Sequence, residues 1–155
     1  MSYGTQNEME NFEYNQAVVG NIQVTDGIFH LVLDNVMILP ENSCNRDIRK
    51  MRCNELLFKL ADPKIIEVIE EGYKLFDANG GLKESVEDKQ IAKAEYPKVW
   101  KGLLGGNVYE INKKMDDSGK YRYEFVIDGA EEGTYDVHVL ATGDTQEWER
   151  FLNIE

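Results

Sequence analysis

The stretch from Asn107 to Thr142 constrains this chain more than any other, because it contains three runs in which apolar and polar residues alternate. Tyr121, Tyr123, Phe125 and Ile127 fall on one side of a strand, and Arg122, Glu124 and Asp128 fall on the other, with Val126 the exception. Tyr135, Val137, Val139 and Ala141 repeat the pattern after Asp128-Gly129, while Tyr109, Ile111 and Met115 precede Asp116-Asp117-Ser118-Gly119. A period of two belongs to a strand with one face covered. Turn residues ending in glycine supply the positive φ that tight hairpins need. The stretch therefore predicts a three-stranded antiparallel meander whose apolar face requires a cover.

The rest of the chain is read for that cover. Ala17 to Val24 reads as a strand interrupted by Gly20, and Asp26-Gly27 as the turn of an N-terminal hairpin. Ile28 to Leu39 is the most apolar run, divided at Asp34-Asn35 and ended by Pro40, which suggests a strand covered on both faces. Asn54 to Leu60 offers a further short strand.

Asp62-Pro63 has the composition of a helix start, with Ile65, Ile66, Ile69, Tyr73 and Phe76 at helical spacing and Glu67, Glu70, Glu71 and Lys74 opposite them. A helix is predicted to Asp77, closed by Asn79-Gly80-Gly81. Glu84 to Ala94 tolerates helix, and Lys98 to Leu104 predicts a short one with Val99, Trp100, Leu103 and Leu104 inward. Asp144 with Glu147 resembles a capping box for a short C-terminal helix over Gln146 to Asn153. The expected fold is α+β: a single domain whose antiparallel sheet, made of the N-terminal hairpin and the C-terminal three-stranded meander, is covered by helices from the middle of the chain and a short C-terminal helix. Residues 1–13 are polar and read as a flexible N-terminal arm, leaving 14–155 as the domain.

At 155 residues the chain is long enough to bury a core, and 42% hydrophobic residues argue for a folded one. Its formal charge of −12 opposes binding to nucleic-acid phosphate or to anionic lipid and leaves open a basic protein partner. The basic residues gather instead at 46–52, in Arg46, Arg49, Lys50 and Arg52. Met1 to Gln16 has neither a basic end nor an apolar segment, so no secretory leader is expected, and no apolar run approaches the ~20 residues of a membrane span. A cytoplasmic location is the expectation. Cys44 and Cys53 are nine positions apart without a neighbouring histidine, a spacing that suits ordinary reduced thiols better than zinc ligands.

Two constellations come nearest to a chemical site. His138 shares a strand face with Asp136, and Glu124 is placed to lie across from them. A carboxylate beside an imidazole is the pairing that tunes a general base, and the bland alternative is a solvated sheet face. Asp77-Ala78-Asn79-Gly80-Gly81 opens like a calcium loop, with Asp77, Asn79 and Asp88 at the first, third and twelfth positions. Gly81 brings no oxygen at the fifth, and Leu82 stands where glycine is required at the sixth. The stretch reads better as a helix C-cap, so no metal and no cofactor are expected. His30, inside the apolar run, reads as a core histidine. No phosphate loop, dinucleotide fingerprint, nucleophile elbow or zinc-protease helix is present.

With no recognisable catalytic set, the sequence favours a non-catalytic protein-interaction domain. Two alternatives accompany it: a ligand-binding domain or small enzyme with a pocket between sheet and helix, and an acidic inhibitor of a nucleic-acid-binding protein.

Overall fold

A computed structural model of the chain describes residues 2–131 and 133–154; Met1, at the start of the expected arm, and Glu132 and Glu155 lie outside them. In chain order the strands are β1 (Tyr3–Gln6), β2 (Phe12–Glu13), β3 (Val18–Thr25), β4 (Ile28–Asp34), β5 (Val36–Ile38), β6 (Met51–Cys53), β7 (Leu56–Ala61) and β8 (Lys64–Glu70). They continue with β9 (Tyr73–Phe76), β10 (Leu82–Val86) and β11 (Lys89–Gln90) before helix α1 (Tyr96–Leu103). The chain then runs through β12 (Asn107–Met115), β13 (Tyr121–Asp128), β14 (Thr134–Ala141) and β15 (Gly143–Trp148).

Ten of these form one antiparallel sheet in the order β1-β15-β7-β4-β3-β12-β13-β14-β8-β11. The sheet folds over at a seam where β3 and β12 share one residue pair, Val18 with Asn107. Phe29 of β4 meets Phe125 of β13 with ring centres 4.9 Å apart, and Phe58 of β7 reaches the same ring at 5.6 Å. Strands β4 and β13 stand three places apart in the order, about 14 Å along a flat sheet at the usual strand spacing. The two five-stranded halves therefore face each other across a shared core. A small sheet, β2-β5-β6, and a separate hairpin, β9-β10, complete the molecule.

The N-terminal hairpin and the meander are present, the former turning at Asp26-Gly27. The α+β expectation is corrected: the molecule is mostly antiparallel sheet, 55% strand and 9% helical, and no layer of helices covers it. The cover for the meander's apolar face is the other half of the same sheet.

The stretch read as the Asp62–Asp77 helix forms β8 and β9 instead. Asp62 has φ of +48°, a left-handed turn geometry that a helix-capping residue does not adopt. Lys-Ile-Ile-Glu-Val-Ile-Glu is rich in β-branched residues, whose stiff side chains favour a pleated surface. Tyr73 and Phe76 face solvent rather than packing with Ile65 and Ile69. Glu84 to Ala94 likewise forms β10, β11 and a short 3-10 turn, Lys93–Glu95. The C-terminal helix is absent too: Asp144 and Glu147 lie on β15, whose inward positions Asp144, Gln146 and Trp148 are buried.

Helix α1 forms where a short helix was expected, with Pro97 in its first turn and Val99, Trp100 and Leu103 buried, but Leu104 is exposed. Strand β4 buries one face, not two: Phe29, Leu31 and Leu33 point inward, while His30 sits half-buried on the other side. The first thirteen residues supply β1, paired with β15, and β2, paired with β5.

Candidate functional site: the outer face of the meander

The registers of β12, β13, β14 and β8 place side chains from the four strands in rows on the outer face. Glu124 stands opposite both Asn112 and His138, and His138 stands opposite Glu67. The next row runs from Glu110 through Val126 and Asp136 to Ile69. Alternation alone puts charged groups outward here, because Tyr123, Phe125, Val137 and Val139 occupy the inward positions.

His138 and Glu124 are brought together as the sequence suggested, with Nε2 3.5 Å from Oε2. Arg122 occupies the other nitrogen, its guanidinium reaching Nδ1 at 3.1 and 3.3 Å and Oε1 of Glu67 at 3.3 Å. Guanidinium has donors only, so Nδ1 accepts and the ring proton stands on Nε2, facing Glu124. Asn112 donates to the other Glu124 oxygen at 3.0 Å. Both imidazole nitrogens are thus engaged in a cross-strand chain of five side chains, Asn112, Glu124, His138, Arg122 and Glu67.

Asp136 is not part of that chain. Its carboxyl faces Glu71, the residue that follows β8. Burial, above all, and then the hydrogen-bonding carboxyl of Glu71 and the charges of Glu71, Glu124 and Asp88 push it up to about 7. Its Oδ1 is fully covered and receives no donor from the described residues. Two carboxylates in contact are acceptors only, and a proton held between them resolves the conflict. Glu71, Glu110, Glu124, Asp128 and Asp136 together surround a depression of about 510 Å³ floored by Val126 and edged by Tyr109, whose ring is largely exposed.

The calcium-like stretch forms the tip of the β9–β10 hairpin, not a helix C-cap. Oδ1 of Asp77 accepts the backbone N–H of Asn79 and of Gly81, at 2.9 and 2.8 Å. Asp88 lies at the hairpin's base, where its Oδ1 accepts the N–H of Gly72 at 2.7 Å. The structure does not bring Asp77, Asn79 and Asp88 together. Among the described residues no three acidic, histidine or cysteine side chains converge on a point that could hold a metal ion. Cys44 and Cys53 are both free; burial pushes the Cys53 thiol up to about 12, with a smaller contribution from the Asp34 charge.

Two features escaped the sequence reading. Asp144 is buried between the halves, accepting from Lys113 Nζ at 2.8 Å, from the Tyr123 hydroxyl at 2.7 Å and from Gln146 Nε2 at 2.7 Å. Thr5 Oγ1 extends the network by donating to Gln146 Oε1 at 2.7 Å. Asp144, Gln146 and Trp148 at a period of two were its signal in the sequence. Burial and this hydrogen bond hold the Tyr123 hydroxyl well above the usual phenol range.

The second feature is a cleft of about 660 Å³ between the tip of the β3–β4 hairpin, the start of β8 and α1. Val24, Ile28, Phe29, Ile65, Ile66 and Trp100 are its apolar lining, and Asp26, Lys64 and Lys93 its charged lining. No helix of the described residues is long and apolar enough to cross a membrane. No family model, curated protein or solved structure matches the chain.

Proposed function

We propose that this chain is a non-catalytic protein-interaction domain that docks a basic partner on the outer face of β12, β13, β14 and β8. The observation that carries the reading is the ring of five carboxylates around Val126 and Tyr109. A lysine or arginine side chain entering there meets an apolar floor for its stem, an aromatic edge for its cation and several acceptors for its N–H groups. The arriving cation also replaces the proton between Asp136 and Glu71, so docking releases a proton at pH values below about 7. The chain's overall charge of −12 steers such a partner toward the molecule and repels nucleic acid.

The test compares the immobilised wild-type protein with a Glu110→Lys, Asp128→Lys variant, which leaves the His138 chain untouched. Both are exposed to extract of the native host at low and moderate salt, and retained proteins are identified and then titrated singly. The reading requires a basic protein that binds the wild type, weakens with salt and is lost from the variant. Retention of the same partner by both forms, or preferential retention of duplex DNA, refutes it.

A further inference from the structure

Strand β12 has a partner on only one of its sides for most of its length. Beyond Tyr109 it pairs with β13 alone, in a register unbroken from Glu110 to Met115. On the other side, Gln16 and Ala17 hydrogen-bond to Val108, and the Asn15 side chain donates to the Tyr109 carbonyl at 2.9 Å. The cover ends there. Among the described residues no backbone group bonds to the open side of Glu110 to Met115.

The turn after β12 determines which groups face that open side. The Asp116 N–H donates to the Lys120 carbonyl at 2.8 Å, and opposed residues of an antiparallel pair alternate between hydrogen-bonded and non-hydrogen-bonded. Lys114, Asn112 and Glu110 therefore turn their N–H and C=O groups to β13. Ile111, Lys113 and Met115 turn theirs outward, a row of donors and acceptors that another strand can meet. Folded chains blunt such rows with lysines or a bulge. Here the bulge lies before Glu110, and Lys113 bends inward to Asp144 at 2.8 Å.

The open segment is complementary to itself. Laid antiparallel on a second copy with a two-fold axis at Asn112, Glu110 faces Lys114 of the second copy, and Lys114 faces the second copy's Glu110. Both side chains are exposed, and among the described residues neither has an ion pair within its own chain. The same register makes Ile111 and Lys113 a hydrogen-bonded pair on each side of the axis, through the groups that face outward. It also brings Met115, 60% exposed, beside Tyr109 of the other copy, 57% exposed. An axis one residue away sets Lys113 against itself, or Glu110 against Asn112.

We propose that β12 is a dimer edge, along which two copies of this chain pair antiparallel from Glu110 to Lys114 and join their meanders into one continuous sheet. The contact is isologous, so it closes at two copies. Its two-fold axis stands perpendicular to the sheet and leaves both outer faces on the same side. Of the five carboxylates around Val126 the pairing engages only Glu110, and it needs no basic partner.

The experiment uses the full chain and sedimentation velocity over a range of concentrations, with thermal melts to verify that each variant is folded. Wild type is expected to pass from monomer to dimer as concentration rises and to go no further. Lys114→Glu and Glu110→Lys each set like charges against each other on both sides of the axis, and each weakens the dimer by about tenfold or more. Mixed together, the two variants pair with each other as wild type does, because every charge again meets its opposite. A second measurement reads the register in a Cys44→Ser background. Asn112→Cys sets two thiols across a non-hydrogen-bonded pair, where Cα atoms stand about 4.5 Å apart, within reach of a disulfide. Mild oxidation should therefore yield a covalent dimer of that variant, and not of Lys114→Cys, whose thiol faces Glu110. Wild type that stays monomeric or grows beyond the dimer overturns the proposal. So do folded charge variants that dimerise like wild type or fail to pair when mixed, and equal cross-linking at positions 112 and 114.

Discussion

Asp136 is the residue at which charge and fold conflict most directly. Its carboxyl is raised from 3.8 to about 7, so the folded chain holds a proton that the unfolded chain has already released between those values. This group therefore favours folding fully below its unfolded value, and that contribution is lost as pH rises through 7. Asp136→Asn supplies an N–H donor to Glu71 with no charge, so the variant should melt higher than wild type above pH 7 and alike near pH 4. Melting curves across that window check it; equal melting above pH 7 would mean that the two carboxyls do not share a proton. Asp144 presents the opposite case, a buried carboxylate with every neighbour supplied. Asp144→Ala leaves the Lys113 ammonium and the Tyr123 hydroxyl without their acceptor. The loss should be roughly 3–5 kcal/mol, measurable by urea unfolding, because breaking a buried pair strands the remaining charge.

Elements were legible in the sequence where the covering face alternates with a polar one. Tyr121 to Ile127 and Tyr135 to Ala141 declare their period because one side is wet and the other dry. Lys64 to Glu70 does not, because apolar residues lie on both of its sides. Val68 points to the core, while Ile69 joins the outer row beside Asp136. Apolar residues on both faces mimic the spacing of a helix, and only the β-branched composition argued otherwise. The error then spread to the site. With β8 read as a helix, nothing could bring Glu71 to Asp136 or Glu67 to Arg122, although the Glu124–His138 pairing was visible from the meander alone. The apolar residues of β9 and β10 misled for another reason. A helical stripe was inferred from side chains that are exposed in the folded chain, so their spacing carries no record of a core.

At the scale of the whole molecule, the fold rests on contacts between chain positions far apart in sequence. Tyr3 pairs with Trp148, and Phe125 touches both Phe29 and Phe58 from the opposite half of the sheet. Neither half can bury its inner face alone, so the two should unfold together. Phe125→Ala opens a cavity at their meeting point and should cost about 3–5 kcal/mol. Two tryptophans report on separate regions: Trp148 among Tyr3, Phe12 and Phe151, and Trp100 beside Tyr96 on α1. Trp100→Phe and Trp148→Phe variants leave one reporter each. Their urea midpoints should coincide, and Phe125→Ala should move both by the same amount. If Phe125→Ala shifted one tryptophan's transition and left the other in place, the regions around Trp100 and Trp148 would unfold separately, and the shared core at Phe125 would not be what couples them.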